Sequence, residues 1–170
     1  MVKTGTITNA VNTSGDVHTC QVSTFQGQEV HNDRPIYGTW GLTSVPPVNS
    51  QAITLSGYGL NNNKFVVGTH DVNTHPKNLK EGEVQLYDTS KQSLYLSVDG
   101  VVVTANSLFE VKLGQDVLFS ISKDKIVFNT NIEINGSITS TDEITSGSIK
   151  LTQHKHTGVQ SGSSETGTPT

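Results

Sequence analysis

Apolar residues in this chain recur at every second position in short bursts, and no stretch repeats with the period of a helix. Bursts at residues 4–11, 17–25, 35–40, 52–55 and 64–68 are separated by turn-forming runs, SGD at 14–16, VPPV at 45–48 and YGLNNN at 58–63. About five or six short strands with long turns within residues 1–88 predict a small Greek-key barrel such as an OB-fold, or a partial sandwich. Its aromatic residues Tyr37, Trp40, Tyr58 and Phe65 are the expected core anchors.

The pattern tightens in residues 89–150. Pairs and triplets alternate at Leu94/Leu96/Val98, Val101/Val103, Phe109/Val111/Leu113, Val117/Phe119/Ile121, Ile126/Phe128 and Ile132/Ile134. Turn signals fall between them at Asp99-Gly100, Gly114-Gln115-Asp116, Lys123-Asp124 and Asn135-Gly136. Many short strands in a row predict a meander or a β-helix. A sheet this narrow leaves an apolar face exposed in a lone chain, so the pattern predicts burial against further copies, a homo-oligomer.

Composition agrees with an all-β chain. Thr occurs 22 times and Ser 18, against 11 basic and 15 acidic residues, and Ala only three times. Good helix formers are scarce, while β-branched and turn-forming residues abound. A net charge of -4 with no basic cluster argues against a nucleic-acid partner. The single cysteine, Cys20, excludes an intrachain disulfide and a CxxC site; its alternating strand suggests a small buried apolar residue. No apolar run approaches the ~20 residues that span a bilayer, and the opening MVKTGTITNA has no signal-peptide core. Synthesis in a reducing cytoplasm is the expectation.

Few residues offer chemistry. His154 and His156 flank Lys155 where the strand pattern gives way to a Gly/Ser/Thr-rich end, LTQHKHTGVQSGSSETGTPT. In a strand, residues two apart face the same side, about 6–7 Å apart. One chain then offers two imidazoles, too few for a closed site, whereas three chains around an axis would offer six. Six-coordination disfavours zinc and suits Fe(II), and a saturated ion would be structural. Taken alone, such a pair is more often two exposed tail histidines than a metal site. His18, His31, His70 and His75 are scattered through the barrel half, and Asn73 and Pro76 make the His70–His75 stretch a surface loop. Gly57-Tyr58-Gly59 lacks the following helix of a phosphate loop. Asn12-Thr13-Ser14 and Asn135-Gly136-Ser137 match a glycosylation pattern, as chance allows in such a chain. No catalytic constellation emerges, so an enzyme is not expected.

The order of features resembles the baseplate central spike family of contractile-tailed phages, the Mu-like spike or baseplate assembly V group. The matching pieces are the barrel-like opening, YGLNNNKFVVGTHDVNTHPKNLKEGEVQLYD at 58–88, SLYLSVDGVVV at 93–103 and HKHTGVQSGSSETGTP at 154–169. The resemblance implies an OB-fold-like barrel (1–88), an intertwined trimeric β-helix shaft (89–150) and a small metal-bound apex (151–170). It implies one Fe2+ per trimer held by His154 and His156, with calcium or chloride possible in the shaft; Asp142 and Glu143 are conceivable there. It further implies a homotrimer at the tail tip of the virion, docked on the baseplate hub or tail-tube end, that pierces the host outer membrane. Alternatives are a receptor- or glycan-binding β module, a metalloenzyme using the HKH pair, and the spike of a phage-derived bacteriocin or secretion system.

Overall fold

Strands β1 (Val2–Ile7), β2 (Thr19–Thr24), β3 (Glu29–Pro35), β4 (Gln51–Ser56) and β5 (Lys64–His70) form one antiparallel sheet in the order β3-β2-β1-β4-β5. The computed structural model that shows this describes residues 1–60, 62–155 and 162. Bulges between Cys20 and Val22 and between Ile53 and Thr54 bend the strands. The sheet curls until its edges approach. Ile36, just after β3, bridges Val66 of β5 in parallel, Tyr37 N donates to the Val66 carbonyl at 2.8 Å, and Arg34 Nη1 donates to the Asn62 carbonyl at 2.6 Å. A five-stranded antiparallel sheet closed by a parallel β3–β5 contact is the partly open barrel of the OB type.

The inner face carries Ile7, Cys20, Val22, Ala52 and Val66, all buried, with Val11 and Ile36 packed against them. β1 presses on β2 so closely that a Cβ on Gly5 would lie 2.5 Å from the Ser23 carbonyl oxygen. Burial pushes the Cys20 thiol pKa up, which suits a packing residue and not a nucleophile.

Two expectations fail here. The third strand runs over Glu29–Pro35, not 35–40, because its inward positions are polar and hide the strand from a hydrophobicity pattern. Trp40 and Tyr58 are each 98% exposed and anchor no core, and Tyr37, which meets Phe65 edge to face at 5.9 Å, is itself 53% exposed and outside the core. The small interior is already filled by aliphatic residues, and Tyr58 sits on a tight turn at φ 51 that carries it outward.

Those polar inward positions meet a charge from the opposite edge. Lys64 of β5, with no exposed side-chain surface, donates to Glu29 Oε2 at 3.1 Å and to His31 Nε2 at 2.5 Å. Lys3 and Thr24 donate to the same carboxylate oxygen at 3.0 and 3.1 Å. An ammonium can only donate, so His31 Nε2 is the acceptor in its contact with Lys64. Lys3 first and Lys64 next hold the Glu29 carboxyl down to about 2. A charge cluster therefore joins the two edges of the curled sheet.

The rest of the chain forms narrow sheets. β6 (Val84–Tyr87), β7 (Ser93–Ser97) and β8 (Gly100–Thr104) make one, and β9 (Leu108–Leu113), β10 (Asp116–Ser122) and β11 (Ile126–Phe128) another. The predicted alternation at Ile132 and Ile134 yields no strand. A final hairpin pairs β12 (Thr145–Ser146) with β13 (Ile149–Lys150). Register puts Val84, Leu96 and Val101 side by side, and Leu86, Leu94 and Val103 beside them, so one face of the first sheet is wholly aliphatic. In the second, Phe119 lies between Phe109 and Phe128 at ring distances of 6.1 and 5.8 Å. After His70, no described residue is buried.

Candidate metal centre at the apex

The final hairpin leads the chain into the HKH sequence. Its two strands pair Thr145 with Lys150 and Ser146 with Ile149, leaving the two-residue loop Gly147-Ser148. Gly147 takes φ +60, the conformation that favours glycine at the head of a tight hairpin. Beyond β13 the chain turns back on itself. Leu151 N donates to the Ile144 carbonyl at 2.9 Å, and Gln153 N to the Lys150 carbonyl at 3.2 Å.

His154 closes that turn, with Nδ1 2.7 Å from the Leu151 carbonyl. A carbonyl only accepts, so Nδ1 carries a proton in this contact, and in the neutral ring Nε2 is the nitrogen able to ligate. Metal-binding histidines are oriented in this way, one nitrogen on a backbone carbonyl and the other on the ion. The described donor therefore fits a metal. His156 lies outside the described residues, so the pair itself is not seen together. Among the described residues no group of three or more His, Cys, Asp or Glu could hold an ion within one chain.

Glu143, four residues before the loop's glycine, fastens the turn. Its Oε1 accepts from Thr152 N at 3.1 Å and its Oε2 from the Thr152 hydroxyl. The Thr152 hydroxyl and amide, with the amides of Leu151 and Ile144, hold the Glu143 carboxyl below its ordinary range against the cost of desolvation. Asp142 Oδ1 accepts from Glu143 N at 2.7 Å. Both carboxylates considered for a shaft ion thus have protein donors.

The same use of acidic residues recurs along the chain. Asp71 accepts from Thr74 N and Oγ1 at 3.1 and 2.6 Å, so the nearby imidazoles of His70 and His75, 4.5 Å apart, share no carboxylate poised for a metal. Glu83, in the stretch LKEGEVQLYD, accepts from Tyr95 Oη at 2.5 Å and Lys80 N at 2.8 Å, tying it to β7. Asp88 accepts from the amides of Ser90 and Gln92 at 2.8 and 2.9 Å. Turn amides beside a thin sheet have no core strand to pair with, and carboxylates satisfy them. His31 belongs to the barrel's charge cluster, and Gly57–Gly59 forms a short turn that leads into β5.

Sequence reasoning missed the Lys64–Glu29–His31 cluster and the Glu143–Thr152 clasp. Lys64 shares its alternation with buried Val66, a signal that was there to read. Glu143 and Thr152 are nine residues apart and meet only because the hairpin folds.

Two family models match the chain. Bacteriophage Mu Gp45, N-terminal, covers residues 5–73, which is the barrel, and the GpV Apex motif covers residues 148–170, which includes both histidines. Residues 74–147 lie between the two matches. A comparison with curated proteins finds no match. The apex motif is of the kind that binds a metal at a spike tip.

Proposed function

We propose that this chain, which belongs to the baseplate central spike family of contractile-tailed phages, works as a trimeric needle that pierces the host outer membrane, its apex pinned by one iron ion. It is a structural protein of the virion, placed at the tip of the tail, and not an enzyme. The observation that carries the proposal is the aliphatic face of Val84, Leu86, Leu94, Leu96, Val101 and Val103. All six are at least a third exposed in one chain, far more apolar surface than a thin sheet can keep in water. Spike families imply a homotrimer at the baseplate, and two further copies would cover such faces and pair their open strand edges.

In this reading residues 1–88 form the barrel and its lead into the needle, 89–150 the intertwined shaft and 151–170 the apex. The barrel docks on the baseplate hub or tail-tube end. Tail contraction supplies the work, and the shaft transmits it because neighbouring chains must part together. His154 and His156 from each chain hold the iron. When bound, the ion supplies a cross-link among three chain ends where the load arrives. No helix among the described residues is long and apolar enough to cross a membrane.

Sedimentation with elemental analysis of untagged protein tests this. The expected species has three times the 18.2 kDa of one chain and carries one iron. Replacing both His154 and His156 by Ala removes the iron and leaves the trimer. A stable monomer overturns the needle, and iron retained in full by the double variant overturns the ligand assignment.

A further inference from the structure

The apex histidine is held by a turn that is itself held from elsewhere. Thr152 presents its amide and its hydroxyl to the two oxygens of Glu143, which stands before the hairpin. Between them, Leu151 N bonds the Ile144 carbonyl at 2.9 Å, so the segment after β13 is laid along the segment before β12. The carbonyl of Leu151 then takes the Nδ1 proton of His154 at 2.7 Å. Glu143, Thr152, Leu151 and His154 form one continuous relay of contacts.

We propose that Glu143 is the positioning residue of the apex: by clasping Thr152 it fixes the turn whose Leu151 carbonyl sets the ring orientation and tautomer of His154. This rests on His154 being a metal ligand, as proposed above. Groups hydrogen-bonded directly to a ligating imidazole typically matter about 10- to 100-fold in metal affinity; here that group is the Leu151 carbonyl, and Glu143 acts through the turn that places it. Glu143 needs no contact with the ion to have that effect. A carboxylate is suited to the task because both of its oxygens accept, whereas an amide of the same shape offers one acceptor and two donors.

The test uses the full chain, stripped of metal and titrated anaerobically with Fe(II) against a competing chelator, with the assembly checked by sedimentation. Glu143→Gln and Thr152→Val are each expected to weaken Fe(II) binding about 10-fold, the low end for a direct partner of a ligating ring, while leaving the mass of the assembly unchanged. Thr152→Ser, which keeps the hydroxyl, is expected to bind as the parent does. Nitrogen chemical shifts of the His154 ring in metal-free protein give a second readout. The parent and Thr152→Ser should show the Nδ1–H tautomer, and the other two variants a mixture. If Glu143→Gln does not assemble, Thr152→Val decides.

Affinity within twofold of the parent for Glu143→Gln and Thr152→Val overturns the inference, as does an Nε2–H tautomer in the parent. The His154→Ala, His156→Ala double variant separates the two ideas. Fe(II) affinity that survives it removes the ligand assignment itself. Affinity lost there but kept in Glu143→Gln removes only the role of Glu143.

Discussion

Ile7, Val22 and Val66 of the barrel have no exposed surface, whereas Val84, Leu96 and Val101 of the next sheet, residues of the same kind at the same alternation, are 54%, 43% and 67% exposed. The difference lies in the width and curl of the sheets. Five strands bent by two bulges can fold back until their edges approach and enclose a core. Three short strands cannot wrap around anything, so their apolar face needs another surface. The barrel closes on a core of its own, and the sheets after it leave their apolar faces open in the single chain.

The largest expected effect attacks the shared surface. Val101→Asp together with Val103→Asp puts two carboxylates on the aliphatic face, where three copies would bring six together, and is expected to abolish the three-chain species in sedimentation. The barrel should remain folded. Survival of the assembly would mean that this face is not where the copies meet.

A smaller effect is expected inside the barrel. Ile7→Ala empties a fully buried site and should cost about 2–5 kcal/mol in denaturant unfolding of the barrel. The assembled mass should not change, because Ile7 packs only within its own chain's core. A loss of assembly at equal stability cost would break the division between the two regions.

The smallest effect concerns the barrel's charged seam. The Glu29 carboxyl is lowered from 4.5 to about 2 in the folded chain, so the stability it contributes is present above its ordinary range and fades as pH falls toward 2. Thermal midpoints should therefore decline over that acid window in the parent. Glu29→Gln should start lower at neutral pH and show a flatter profile there. Identical acid profiles for the two proteins would show that the cluster adds nothing to closure.

Much of the fold was legible. Alternation located β1, β2, β4 and β5, and the Asp99-Gly100 and Gly114-Gln115-Asp116 signals fell at real turns. β3 was not legible, because Glu29 and His31 face inward and read as a solvent-facing stretch until Lys64 arrives from across the barrel. Trp40 and Tyr58 were misplaced for the converse reason: bulk and apolarity suggest burial, but the space inside had already been taken by smaller residues. At the apex, the spacing of His154 and His156 was visible at once. The clasp of Glu143 on Thr152 was not, since no spacing rule links residues nine apart across a hairpin.

Sequence alone settled that the chain is all-β and where most strands and turns fall, because these follow from local periodicity, and it offered His154 and His156 as candidate ligands through their residue chemistry. It also implied that the chain after the barrel cannot bury its own apolar positions. Tertiary structure alone decided which face of each strand became interior, that a buried ammonium would help join the barrel's edges, and that Nδ1 of His154 faces the Leu151 carbonyl. Alternation divides a strand into two faces without saying which turns inward; curl, bulges and contacts between distant residues make that choice.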